Sequence, residues 1–204
     1  MCGLAFFSCA RQFKPTFLPP KNLAPVDYSE VLKTWTREGQ GYSGLEHKIT
    51  VKATLISPML RRAFSVRFPE VYGYGGQITR TEMRDVSPET ESTLNFFVAV
   101  YTADFRWNDF NKTTSIWHVT LDILDGFDGK STQSFDTTAI ERVKIDENMR
   151  TIYPYMNTFE TGYLFRFPMQ DAASQPILKD KVTYVRLRIA SSFAERDLDW
   201  TIEP

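Results

Sequence analysis

The sequence predicts an all-β-dominated fold, an antiparallel β-sandwich of immunoglobulin-like or related architecture with two short inserted helices. Seven short segments are apolar or alternate between apolar and polar residues, as strands do. Turn signals rather than helical patterns separate most of them, which favours a sandwich over a parallel sheet. Segment 94–101 is apolar at almost every position, which is typical of a central strand covered on both faces.

Length and composition indicate a single globular domain. The chain has 204 residues, of which 42% are hydrophobic and 24% charged, and a domain of that size needs no disulfide or metal for stability. Its 24 basic and 25 acidic residues nearly balance, which argues against a dedicated nucleic-acid binder. With 2 Cys and 2 His, neither a cysteine-rich zinc site nor a disulfide scaffold is expected.

Two helices are predicted at the start of the folded domain. The first covers residues 27–38, with Asp27 as its N-cap, an apolar stripe at helical spacing, and Gly39 as its end. The second begins at residue 57, where serine can cap the helix and proline takes the first helical position. Pro69 is expected to end or kink it.

The strand predictions rest on alternation along the chain. The clearest case is segment 182–189, in which Val185 and Leu187 point inward while Arg186 and Arg188 point outward. The seven predicted strands are 48–56, 94–101, 116–123, 139–145, 162–167, 182–189 and 197–202.

The N-terminal part differs in composition from the domain at 27–204. Residues 1–9 are apolar and end in Ser8-Cys9, and residues 10–26 contain four prolines, which favour extended chain. A short apolar run that ends in a small residue and a cysteine, followed by a Pro-rich tether, resembles the bacterial envelope lipoproteins. That resemblance implies a fatty-acylated Cys9 as membrane anchor and residues 1–9 as the remnant of a signal peptide, with Met1 an internal start.

The alternative interpretation is an unmodified N-terminus that is either free or packed on the domain as a short strand. In that case the chain is a cytoplasmic domain of unknown role. Mass spectrometry of the native N-terminus distinguishes the two.

One candidate ligand site is the aromatic and amide-rich loop 104–110. Phe105 and Trp107 could stack on sugar rings, while Asn108 and Asp109 could bind hydroxyl groups. The alternative is that the loop's aromatic side chains fold back onto the end of the sandwich.

The other candidate is the loop 122–128, which contains Asp122, Asp125 and Asp128; a glycine follows each of the last two, at positions 126 and 129. Calcium takes oxygen ligands from such loops, so a weak Ca²⁺ site is one interpretation. Because Asp-Gly is also a strong hairpin-turn signal, a plain turn is the other. No further cofactor is expected.

Together these patterns predict a non-catalytic cell-envelope lipoprotein that acts as a binding or assembly component. Its expected partners are the membrane, through Cys9, and an envelope protein. Its oligomeric state is not predicted. The alternative is a carbohydrate-binding or carbohydrate-cleaving protein that uses the loops 104–110 and 122–128, since two carboxylates about 5–10 Å apart suit glycoside hydrolysis.

Overall fold

The computed structural model describes residues 27–72, 93–126, 129–178 and 183–203, and it confirms the predicted antiparallel sandwich. Within these ranges nine strands form two sheets. The strands are β1 Thr36–Ser43, β2 Glu46–Leu55, β3 Thr93–Thr102, β4 His118–Leu124, β5 Ser131–Asp136, β6 Ala139–Val143, β7 Thr161–Pro168, β8 Thr183–Ala190 and β9 Glu195–Ile202. The five-stranded sheet has the order β1-β2-β3-β7-β6, and the four-stranded sheet has the order β5-β4-β8-β9.

The helices in the described ranges are α1 (Tyr28–Trp35), α2 (Pro58–Tyr72) and α3 (Glu147–Ile152). Both predicted N-caps are present. The Asp27 carboxylate accepts a hydrogen bond from the Ser29 amide at 2.8 Å, and the Ser57 hydroxyl accepts one from the Leu60 amide at 3.1 Å. Each cap satisfies an amide that the first helical turn would otherwise leave unpaired.

The predicted end of the first helix is wrong. The helix stops at Trp35, and β1 follows at once and pairs with β2 along its whole length. Gly39 lies within this strand rather than in a turn, because β9 of the other sheet packs closely against it. A Cβ atom on Gly39 would lie 2.2 Å from the Arg196 Nε atom, so the absent side chain is what lets the two strands meet.

The sequence patterns did not predict two further elements, strand β5 and helix α3. Strand β5 is almost entirely polar and exposed at the edge of its sheet, so it shows no apolar alternation. The short helix α3 was not predicted, although Asp146 caps it by accepting a hydrogen bond from the Met149 amide. Helix α2 also continues past Pro69 to Tyr72.

The core lies between the inner faces of the two sheets. Phe96 of β3 contacts Trp200 of β9 edge-to-face, with ring centroids 5.2 Å apart. The inward positions predicted for β8 are confirmed, since Val185 and Leu187 are fully buried. The indole nitrogen of Trp200 donates to the Trp35 carbonyl at 2.9 Å, so α1 is joined to the core where it becomes β1.

The helices and the segment after α3 cover only part of the outer face of the five-stranded sheet. Tyr153 stacks on Phe97 of β3 at 3.8 Å between ring centroids, and the Tyr28 hydroxyl of α1 donates to the Ile152 carbonyl at 2.7 Å. Strand β3 is therefore covered on both faces, as its composition predicts. The part of the sheet nearer the β1–β2 hairpin stays open to solvent.

Candidate functional site

The open part of this sheet face forms a groove of about 580 Å³, here called the outer-sheet groove. Three neighbouring strands supply its floor and one wall, and the loop before β7 supplies the opposite wall. The lining residues combine four aromatic rings with amide, hydroxyl and charged groups; they are Glu38, Gln40, Tyr42, His47, Thr50, Lys52, Tyr101, Asn157, Phe159 and Glu160.

Strand pairing fixes the order of side chains on the floor. Glu38 of β1 lies opposite Lys52 of β2, and Gln40 lies opposite Thr50, which in turn lies opposite Tyr101 of β3. Alternate residues along a strand point to the same face, so all five belong to the outer face. The floor of the groove therefore spans three neighbouring strands on one face of the sheet.

A β-bulge builds the aromatic wall. Gly41 pairs with Ile49, but the next residue, Tyr42, pairs with His47, so the register skips Lys48. His47 consequently lies on the outer face, where its ring stacks beside Tyr101 at 5.7 Å and receives the Tyr42 ring edge-on at 5.3 Å. Bulges re-aim side chains in this way, and they are frequent next to functional sites.

The opposite wall is held by a buried ion pair. The Lys52 ammonium lies 2.7 Å from a Glu160 carboxylate oxygen, and the two side chains are only 14% and 1% exposed. Lys52 also donates to the Tyr155 carbonyl at 2.9 Å. The other Glu160 oxygen accepts a hydrogen bond from the Asn157 amide at 2.9 Å. These bonds fix the turn that presents Phe159, whose side chain is exposed.

The hydroxyl of Tyr155 secures the same wall to β2. It lies 2.6 Å from the Thr54 hydroxyl oxygen. Burial raises the pKa of Tyr155 and also that of its neighbour Tyr153, because the surroundings disfavour a phenolate. Both phenols therefore stay neutral under physiological conditions.

The groove lining carries more negative than positive charge. Lys52 is paired with Glu160, whereas no ion pair or hydrogen bond from the described residues reaches the carboxylate of Glu38. With His47 set aside, the lining holds two carboxylates and one ammonium group. The unmatched negative charge lies on Glu38, whose side chain is exposed on β1.

The predicted ligand residues of loop 104–110 lie at one end of the sandwich, in different surroundings. Phe105 is 84% exposed and Trp107 is 37% exposed. Asn108 is occupied internally, since its amide group donates to the Val100 carbonyl and its carbonyl oxygens accept from the Tyr163 hydroxyl. Asp109 accepts a hydrogen bond from Ser115 at 3.1 Å. Two exposed rings are thus available there, with polar partners largely committed to the loop.

The two loops considered for carbohydrate chemistry lie at opposite ends of β4. The indole nitrogen of Trp117, just before this strand, donates to the Trp107 carbonyl, whereas Asp125 follows the strand's last residue. At about 3.3 Å per residue the chain between them spans on the order of 25 Å. That separation is too great for Asp104 or Asp109 to share a reaction centre with Asp125.

The predicted calcium ligands occupy different parts of their hairpin. Asp122 is buried in β4 and accepts a hydrogen bond from the Ser134 hydroxyl at 2.6 Å. Asp125 accepts one from the Lys130 amide at 2.8 Å in the turn. Asp128 lies outside the described residues, as does the predicted lipid attachment site, Cys9. In the described ranges no group of three or more His, Cys, Asp and Glu residues is placed to hold a metal ion.

Sequence reasoning missed the outer-sheet groove because its residues are far apart in the chain. Because the first helix was predicted to extend to residue 38, Glu38 was not assigned to a strand. The regular alternation in β2 gave no indication of the bulge. A usable signal exists in the hairpin, where Tyr42 and His47 flank a Ser-Gly-Leu-Glu turn. Aromatic residues on both arms of a hairpin indicate a cross-strand pair.

Comparisons with models of protein families, with curated proteins and with solved structures find no match to this chain. None of the helices in the described ranges has the length and apolar character needed to cross a membrane. The function is therefore argued from the geometry of the groove.

Proposed function

We propose that this protein is a non-catalytic binding component of the bacterial cell envelope that holds its ligand in the outer-sheet groove. The observation that carries the proposal is the groove itself, an open cavity of about 580 Å³ in which aromatic and polar side chains converge. Cavities of this size and mixed chemistry are the usual form of small-ligand sites.

The rigidity of the groove supports a binding role. Its floor consists of paired strands, and its loop wall is fixed by the ion pair between Lys52 and Glu160. A site that is formed before binding loses little conformational entropy when the ligand arrives, which raises affinity. The exposed ring of Phe159 on a fixed turn gives such a ligand an apolar contact.

The N-terminal sequence supports the proposed envelope location. The Ser8-Cys9 pair and the four prolines at 10–26 suit a lipid anchor joined by an extended tether to the domain at 27–204. In this arrangement the membrane is a partner through Cys9, and an envelope protein or polymer is the ligand.

A second candidate function uses the sandwich end instead. The exposed rings of Phe105 and Trp107 offer stacking surfaces for a carbohydrate. Its polar residues Asn108 and Asp109 are engaged in bonds within the fold, whereas the groove also holds Glu38, whose carboxylate has no partner among the described residues.

Isotope-labelled full-length protein, titrated with fractions of the cell envelope and followed by amide NMR, tests the binding site. We expect at least one fraction to shift the amides of Gln40, Thr50 and Tyr101 without shifting those around Phe105. Shifts confined to the loop 104–110 would favour the second candidate. A complete lack of shifts at the groove would contradict the proposed ligand site.

Mass spectrometry of the native N-terminus, with fatty-acid-analogue labelling, tests the anchor. We expect a chain that begins at a lipidated Cys9. An unmodified Met1 in the native protein would overturn the envelope assignment while leaving the ligand site to be judged by NMR.

A further inference from the structure

We infer that the ligand of the outer-sheet groove is a short oligosaccharide built from neutral or amino sugars. This inference rests on the proposed function, since it names the ligand class of that same site. It moves carbohydrate recognition from the loops at the sandwich ends to the face of the five-stranded sheet.

The first support is the placement of the exposed rings. Tyr42 on one wall is 51% exposed, and Phe159 on the other wall is 78% exposed. The apolar face of a sugar ring packs well on an aromatic ring, and burying such surface is favourable. Rings on both sides of a polar floor would hold a sugar by its faces while its hydroxyl groups meet the floor.

The second support is the chemistry of the polar groups. The side-chain carbonyl oxygens of Gln40 and Asn157 already accept hydrogen bonds from the Tyr42 hydroxyl and the Phe159 backbone amide, so these two residues offer mainly their NH2 donors. The Thr50 hydroxyl, which is bonded to the neighbouring imidazole, can make a further hydrogen bond. Sugar hydroxyl groups also donate and accept, so each can be satisfied by such neighbours. A buried hydroxyl group left without a partner would cost affinity, which makes a lining with mixed donors and acceptors suitable for a polyol.

The third support is the charge distribution. The only ammonium group in the described lining belongs to Lys52, and it is bound to Glu160 and to the Tyr155 carbonyl. Glu38 contributes a carboxylate without a counter-ion among the described residues. An anionic ligand, such as a phosphate or an acidic sugar, would meet net negative charge. A neutral sugar can instead donate two hydroxyl hydrogen bonds to Glu38, and an amino sugar can add an ion pair.

The position of the groove on the face of the sheet disfavours an extended peptide bound as an extra strand. Strand addition needs a free sheet edge, where backbone groups give most of the affinity. The groove crosses three strands on their face and offers only side chains. The edge of β1 lies against β9, whose Glu195 carbonyl is close enough to contact a side chain placed at Gly41.

The width of the groove sets the length of the ligand. Neighbouring strands lie about 4.8 Å apart, so β1 and β3 are separated by roughly 10 Å. That span suits a ligand of about two sugar rings. We therefore expect affinity to rise from a monosaccharide to a disaccharide and then to level off.

Isothermal titration of the full-length protein with defined oligosaccharides tests the inference. The probes are gluco-, manno-, xylo- and chito-oligosaccharides of one to four rings, with an acidic galacturonide and trilysine for comparison. We expect one neutral or amino-sugar series to bind and the acidic galacturonide not to bind. Phe159→Ala should weaken binding about tenfold, and Glu38→Gln should weaken it about fivefold.

Phe105→Ala is the matched control, because it removes a similarly exposed phenylalanine from the other candidate surface. We expect it to leave affinity unchanged. Loss of sugar binding in Phe105→Ala but not in Phe159→Ala would overturn the inference in favour of the sandwich end. Strong binding of trilysine with no sugar bound would overturn it in favour of a basic peptide.

The NMR titration described above separates the two proposals. If envelope fractions shift the groove amides while no saccharide binds at millimolar concentration, the sugar inference fails and the proposed ligand site stands. If neither envelope fractions nor saccharides affect the groove, both fail.

Discussion

The outer faces of the two sheets differ in how far their polar side chains are paired with one another. On the four-stranded sheet, Arg186 binds Asp199 through two hydrogen bonds of 2.8 Å, and Arg188 binds Asp197 in the same bidentate manner at 2.9 and 2.8 Å. Next to them, Asp122 accepts from Ser134. These groups satisfy one another across adjacent strands, and little is left for a ligand.

The five-stranded sheet instead buries one ion pair deeply and leaves the groups around it open. Lys52 and Glu160 are committed to each other, whereas Glu38 and Phe159 project into the groove. Charged residues that are paired across strands stabilise a sheet modestly. Residues left open on a fixed support are available for binding, and this difference singles out the groove.

The sharpest way to break this comparison is to remove one partner of the buried pair. Lys52→Met would leave the Glu160 carboxylate buried without its counter-ion, so we expect the free energy of unfolding to fall by about 3 kcal/mol. Urea unfolding measures it. A double-mutant cycle with Glu160→Gln should give a coupling energy on the order of 2 kcal/mol. A coupling near zero would show that the pair does not hold the wall.

The next largest expected effect is a loss of stability at alkaline pH, which comes from a buried tyrosine of the five-stranded sheet. Burial raises the pKa of Tyr163 in β7 to about 12, above the value of about 10 for an unfolded chain. Its contribution to stability is therefore complete below pH 10 and is lost as the pH rises to 12, by about 2–3 kcal/mol. Urea midpoints between these pH values measure the slope. Tyr163→Phe should make the slope shallower but not remove it, because burial also raises the pKa of Tyr153 and Tyr155. An unchanged slope would contradict this assignment.

The charged ladder on the four-stranded sheet should respond less. Arg188 is 43% exposed and Asp197 is 30% exposed, so water already screens their attraction. We expect Arg188→Met to lower the free energy of unfolding by about 1 kcal/mol or less. A cost as large as that of Lys52→Met, measured in the same urea series, would remove the distinction between the two faces.

The smallest expected change in stability is that of Phe159→Ala. Its side chain is largely exposed, so we expect the free energy of unfolding to change by less than about 0.5 kcal/mol. The same variant should lose ligand affinity, so function and stability separate at this residue. A large drop in the urea midpoint would mean that Phe159 supports the turn rather than the ligand.

The sequence predicted the strands with alternating or continuous apolar residues. It missed β5, which is polar, and β1, whose environment comes from distant residues. Val185 and Leu187 show their burial through spacing alone. Gly39 gave the opposite signal, because a glycine in a strand is explained only by the close approach of Arg196. The position of His47 depends on a bulge, and its ring partner Tyr101 lies more than fifty residues away. Neither the close approach at Gly39 nor the position of His47 can be deduced from the local sequence pattern.

The seam between β1 and β9 has a consequence for self-association. Each is the last strand of its sheet, and the close contact at Gly39 and Gly41 turns these two edges toward each other. Exposed, flat edges are where sandwiches recruit strands from other copies and begin to aggregate. The opposite edges, β5 and β6, are only 6 and 5 residues long. Gly39 and Gly41 therefore protect the sandwich from edge-to-edge polymerisation. We expect larger residues at these two positions to promote it.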